Sequence, residues 1–124
     1  LGAEPGELSV ILGPAIGACC YAVDENRARF FAAEYGPGSG YRADDGSWRV
    51  DLAAANLALA RRLGVGATLL VDACTSCDLR LGSNRREGAS GASAAVREGD
   101  ACGPEPAFTR MLACVGHFPA LEGA

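Results

Sequence analysis

The sequence contains no lysine and a single histidine, His117, and each scarcity narrows the possible functions. With no lysine, every positive side chain is a guanidinium, a planar fork suited to bidentate carboxylate or phosphate contacts. A Walker-type phosphate loop, which needs its lysine, is excluded. One imidazole cannot supply a catalytic metal site built from two or three histidines within these residues. A Ser-His-Asp or Cys-His triad would require the tail to fold back, and His117 reads more simply as a surface residue. Aromatics are scarce at 6%, so the core must come mostly from Ala, Leu and Val. No apolar run approaches the ~20 residues of a spanning helix. Residues 1–20 lack the basic head and long apolar middle of a signal peptide. Tight basic pairs occur only at Arg61-Arg62 and Arg85-Arg86 in a chain of net charge −4, which argues against a nucleic-acid partner.

At 124 residues the chain is the size of one domain, able to bury roughly two thirds of its unfolded surface. The first residue is Leu1, not Met, which raises the expectation of a fragment. Its six cysteines are Cys19, Cys20, Cys74, Cys77, Cys102 and Cys114. In a secreted mini-protein such an even count would suggest disulfides. Here two are adjacent, and Cys74 and Cys114 sit in apolar runs, so free thiols in a reducing cytoplasm are expected. Cys74-Thr-Ser-Cys77 has the C-x-x-C spacing of a thiol oxidoreductase, yet no proline is suitably placed for the cis-proline strand of a thioredoxin-like fold. A four-thiolate zinc site from Cys19, Cys20, Cys74 and Cys77 is disfavoured. Structural zinc draws ligand pairs from C-x₂₋₄-C knuckles, whereas neighbouring side chains on an extended chain diverge.

Residues 8–12 (LSVIL) read as a buried strand stopped by Gly13-Pro14. Asp24 is an N-cap for a helix over 25–35 with Phe30, Phe31 and Tyr35 on its apolar side, and GPGSG at 36–40 ends it. Residues 41–47 read as a polar turn and 48–50 as a short strand. Asp51 caps a second helix over 52–63, with Leu52, Ala55, Leu59 and Leu63 on one stripe and Arg61 and Arg62 facing away. Gly64 closes it. ATLLVDAC (67–74) is a second buried strand, running into a one-turn helix at 75–78. Residues 89–106 are small, polar and rich in breakers, an expected flexible insertion. FTRMLACV (108–115) reads as a final strand, with a loose tail after it. Strands alternating with helices imply α/β architecture.

Two segments invite a ligand. The small-residue loop GPAIG brings backbone N–H groups where an anion or ribose can approach, though it lacks the G-x-G-x-x-G spacing. Ser83-Asn84-Arg85-Arg86-Glu87-Gly88 sets two guanidiniums beside a hydroxyl and an amide, a grip for phosphate or a purine's polar edge. On the residues alone, a plain surface turn with an ion pair through Glu87 is the slightly better explanation.

In order, LGPAIGACCYAV, VDLAAANLALARRLGV, DACTSC, LGSNRREGA and TRMLACVG resemble the segments of one family. It is the YfiH/PgeF-like laccase-domain group, also called multicopper polyphenol oxidoreductases or peptidoglycan editing factors and described as purine nucleoside phosphorylases. The resemblance covers residues 8–116 apart from the insertion. It departs from the family where Leu81 and Gly82 replace two aromatics, Asn84 a tyrosine and Ala22 a glutamate.

The resemblance implies that residues 1–124 are the C-terminal portion of a layered α-β-β-α sandwich with a mixed sheet. It implies a cytoplasmic, zinc-dependent enzyme that cleaves adenosine or inosine with phosphate and deaminates adenosine. The family's zinc ligands, two histidines and a cysteine, lie N-terminal to the Gly-Pro loop, so none of the six cysteines here matches the metal-binding one. Copper enters through the family name only. Arg85 is the expected anion contact, supported by Arg86, Ser83 and Asn84, with Gly13 and Gly17 as points of backbone approach. Cys19 and Cys20 are expected to pack behind the loop. Expected partners are a purine nucleoside, phosphate, and either a second copy or the missing N-terminal half. The isolated chain is expected to be inactive. A thiol oxidoreductase and a non-catalytic interaction protein remain the alternatives.

Overall fold

The computed structural model describes residues 2–83 and Arg85. A short 3-10 turn, Pro5–Glu7, leads into β1 (Ser9–Leu12), followed by β2 (Ala22–Val23), α1 (Glu25–Tyr35), β3 (Gly40–Arg42), β4 (Trp48–Val50), α2 (Leu52–Arg62) and β5 (Ala67–Leu70). The mixed α/β expectation holds, with parallel and antiparallel pairing in two separate sheets among the described residues. β1 pairs with β5 in parallel, Ser9 opposite Ala67 and Leu12 opposite Leu70. β4 is central to the other sheet, antiparallel to both β2 and β3. The expected insertion at 89–106 and final strand at 108–115 lie outside the described residues.

Both helices begin where an aspartate can serve an orphan N–H. The Asp24 carboxylate accepts from the Arg27 N–H at 2.8 Å, and the Asp51 carboxylate from the Ala54 N–H at 2.9 Å. Each such cap is worth about 1 kcal/mol. The exposed ion pairs Arg29–Glu25 and Arg62–Glu34 contribute less, about 0.5 kcal/mol or below. Gly36 (φ 99°) and Gly64 (φ 73°) end the helices in backbone conformations that side chains resist.

α1 packs on β3, β4 and α2, and α2 packs on β1 and β5. The buried apolar residues are Ala28, Val50, Ala55 and Ala60. Small side chains let backbones approach closely, which a core short of aromatics requires. Phe30, expected on the apolar side of α1, is 60% exposed. It follows Ala28 by two positions, and at 100° per residue that places it on the opposite face. Leu63, one residue beyond α2, is 58% exposed.

The strands depart further from expectation. Residues 41 and 42 belong to β3, so the polar turn is the shorter connection in a β3–β4 hairpin. The second strand stops at Leu70, and β1 and β5 are not fully buried: Ile11 is 67% exposed and Leu69 58%. Apolar composition alone forecast burial, but a two-stranded sheet has α2 on one side and no described layer on the other. No helix among the described residues is long and apolar enough to cross a membrane.

Candidate functional site

The site lies where the parallel strands β1 and β5 end. Beyond β1, the loop at 13–17 runs alongside the chain leaving β5, with an isolated parallel bridge between Ala15 and Cys74. The Thr75 N–H donates to the Ala15 carbonyl at 2.9 Å, which locks the two segments together. This is the crevice at strand ends that α/β proteins use for ligands.

A cavity of about 490 Å³ opens there. Pro14, Ile16, Tyr21 and Leu52 form apolar walls, and Thr75, Ser83 and Arg85 supply polar groups. Its size and mixed lining suit a small organic molecule. Thr75 and Ser83 are buried. The Arg85 guanidinium lies over the Tyr21 ring, 5.4 Å from its centre, and one N–H donates to the Ala22 carbonyl at 3.3 Å. Stacking plus one hydrogen bond fixes the fork in orientation while its remaining N–H groups can meet an anion.

Of the residues singled out by sequence, Ser83 and Arg85 line this one cavity. Asn84 and Arg86 lie outside the described residues. Gly13 borders open space, where an added Cβ meets nothing within 4 Å. Gly17 is pressed against thiols: a Cβ there would lie 3.1 Å from the Cys74 Cβ and 3.2 Å from the Cys19 Sγ. Its lack of a side chain serves protein packing at that point. Tyr21 and Thr75 were not singled out as site residues, although both stand inside motifs quoted above. A cavity wall assembled from residues 54 positions apart leaves no periodic signal in sequence.

The cysteines give a plain correction. Cys19 and Cys20 are not packed away behind the loop; Cys19 is exposed, as is Cys77, while Cys20 and Cys74 are half-buried. The four sulfurs of Cys19, Cys20, Cys74 and Cys77 all lie within 4.8 Å of one another. Divergence of neighbouring side chains fails as an objection because residues 18–20 form a turn. Cys20 and Tyr21 both donate their N–H to the Gly17 carbonyl, at 2.9 and 3.0 Å. A helix-like turn rotates successive side chains by about 100° instead of 180°. Arg49 secures this turn from β4, donating to the Ala18 and Cys19 carbonyls while bound to Asp45 at 2.7 Å and to the Ser47 hydroxyl at 2.7 Å.

Within the cluster the thiols are unequal. Burial opposes ionisation of Cys74, but N–H groups of Gly17, Cys77 and Ser76 outweigh it and bring its thiol down to about 6. Hydrogen bonding with Cys20, then Cys19 and Cys74, pushes Cys77 up to about 12. Cys19 is also raised, first by its hydrogen bond with Cys74. Among these thiols, negative charge gathers on Cys74.

The donor set bears on copper as well. Blue-copper oxidase centres combine histidines with cysteine, and the chain has one histidine in all. The residues here do not fit such a centre. Soft thiolates instead select zinc, Cu(I) or iron–sulfur centres.

The profile of the family described as multi-copper polyphenol oxidoreductase laccase matches residues 1–97. Among solved structures, the chain is similar to the Bacillus licheniformis hypothetical protein YfiH, at 30% identity and a TM-score of 0.58. That similarity covers 68% of this chain and 34% of the other, so the chain spans about a third of its relative's length. No curated protein matches the chain. By motif order, by profile and by fold, the chain belongs to the YfiH-like laccase-domain family.

Proposed function

We propose that this chain forms one wall of the substrate pocket in a cytoplasmic, metal-dependent purine nucleoside enzyme. The observation that carries the reading is the meeting of Arg85, Ser83, Thr75 and Tyr21 at one cavity beside the Gly-Pro loop. In phosphorolysis a phosphate oxygen bonds to C1′ of the ribose, and the C1′–N9 bond breaks with its electron pair leaving on the purine. The purine nitrogen then takes up a proton, and the products are ribose 1-phosphate and free base. Charge builds on the ribose as the bond breaks, so the enzyme must hold the anionic nucleophile close without neutralising it.

Arg85 suits that role because its fork is already oriented by Tyr21 and the Ala22 carbonyl. A pre-set guanidinium holds the phosphate anion beside the positive charge developing on the ribose, without reorganisation at the moment of reaction. Ser83 adds a hydroxyl at the same wall. The apolar side of the cavity, from Pro14, Ile16 and Leu52, suits a purine face and keeps bulk water from the ribose. Zinc held by histidines and a cysteine from upstream segments would activate water for adenosine deamination. The isolated chain, carrying one wall, is inactive under this reading.

The test is Arg85→Ala in the full-length protein, with inosine and phosphate as substrates. The KM for phosphate should rise and kcat/KM should fall about 10- to 100-fold, the effect of losing one charge-assisted contact. Arg85→Lys should recover only part of the loss, because a point charge cannot reproduce a fork. Unchanged phosphate KM and turnover in Arg85→Ala would sink the assignment.

A further inference from the structure

We infer that Cys19, Cys20, Cys74 and Cys77 form a four-thiolate site for one zinc ion, a structural staple between the Gly-Pro loop and the turn after β5. The inference does not depend on the nucleoside reading, and its residues are not those that hold the family's catalytic ion.

Distances carry the argument. Zinc–sulfur bonds of about 2.3 Å in a tetrahedron put neighbouring sulfurs about 3.8 Å apart. Here the Sγ atoms of Cys19 and Cys20 are 3.8 Å apart, those of Cys19 and Cys77 3.7 Å, and those of Cys20 and Cys77 3.4 Å. Three sulfurs therefore already form one face of such a tetrahedron. Cys74 lies within 4.8 Å of each and supplies the fourth corner. A disulfide needs sulfurs at about 2.05 Å. It would also leave two of the four thiols without a role.

The surroundings fit a metal centre too. The Gly17 N–H donates to the Cys74 sulfur at 3.1 Å, the kind of outer contact that orients and stabilises a thiolate ligand. The Cys77 N–H closes on the Cys74 carbonyl at 3.1 Å, so Cys74 and Cys77 span a tight turn with C-x-x-C knuckle spacing. Arg49 donates to the carbonyls of residues 18 and 19 and so holds in place the turn that carries the other ligand pair. Zinc binding to four thiols displaces up to four protons and changes no oxidation state. Metal cross-linking also suits a described core of four small apolar residues.

The experiment uses the 124-residue chain, whose single histidine keeps imidazole sites out of the count. Reduced, chelator-treated chain is given zinc alone. Bound metal is counted by elemental analysis, and each cysteine is mapped by alkylation and mass spectrometry. One zinc per chain should bind. Cys19, Cys20, Cys74 and Cys77 should become shielded, and chelator should reopen them. Cys102→Ser/Cys114→Ser should keep the full zinc equivalent, and Cys20→Ser/Cys77→Ser should lose it. Should the latter variant fail to fold, the shielding pattern of the unmodified chain still decides. Failure of the reduced chain to bind zinc overturns the inference. So does shielding that falls on Cys102 and Cys114 instead of the four, or a Cys20–Cys77 disulfide that persists in chain prepared under reducing conditions.

Discussion

At the residue scale, missing atoms matter as much as those present. Gly40 begins β3 directly beneath α1, and a Cβ there would lie 2.0 Å from the Ala28 carbonyl oxygen and 2.8 Å from its carbon. Both are backbone atoms of a helix and cannot swing aside as a side chain would. Gly40→Ala should therefore destabilise the fold by about 3 kcal/mol or more, at the upper end of overpacking costs. Gly38→Ala, where nothing lies within 4 Å, should change stability by less than about 1 kcal/mol. Urea unfolding of the two variants checks the contrast; equal losses would show that the approach of β3 to α1 is not what Gly40 protects. Sequence reading recognised GPGSG only as a helix stop. That Gly40 also admits a helix carbonyl depends on a contact across 12 residues, which local composition does not encode.

At the element scale, legibility follows the range of the forces involved. Both helices were readable because their caps are local: Asp24 and Asp51 serve N–H groups three residues on, and a glycine follows each helix. β2 and β3 are two and three residues long and are held by pairing with β4, so no periodic pattern could announce them. The thiol cluster was misjudged for a related reason, since it depends on the turn geometry of residues 18–20. That turn is itself secured from a distance, by Arg49 of β4 and the Asp45 beyond it. The Ser47 hydroxyl and N–H, and then Arg49, hold the Asp45 carboxyl down at about 2. Its folded-state value lies below the unfolded one near 3.9, so the linkage favours folding at higher pH. The contribution is complete above about pH 4 and is lost as pH falls toward 2. NMR titration of the Asp45 carboxyl should give a midpoint near 2. Asp45→Asn should also flatten the pH dependence of stability in that window. A midpoint near 4 would mean that the hairpin does not grip this carboxylate.

At the scale of the whole molecule, the cavity and the thiol cluster share the end where β1 and β5 stop, while no described element covers the outer apolar face of those strands. Ile11 is 67% exposed, Leu69 58% and Val71 43%. Single exposed leucines need no explanation, but adjacent ones on paired strands make a patch of the kind that seeks a partner. A layered sandwich would cover such a face with its second half, and the relative of known structure is about three times as long as the region shared. The 124-residue chain should therefore self-associate through this face. Replacing Ile11 and Leu69 together by serine should shift sedimentation velocity toward monomer. Because both side chains are already largely in water, each change should alter unfolding free energy by no more than about 0.5 kcal/mol. Association that survives both substitutions, with a stability loss above about 2 kcal/mol per site, would mean that the face is already covered and that its residues act as core.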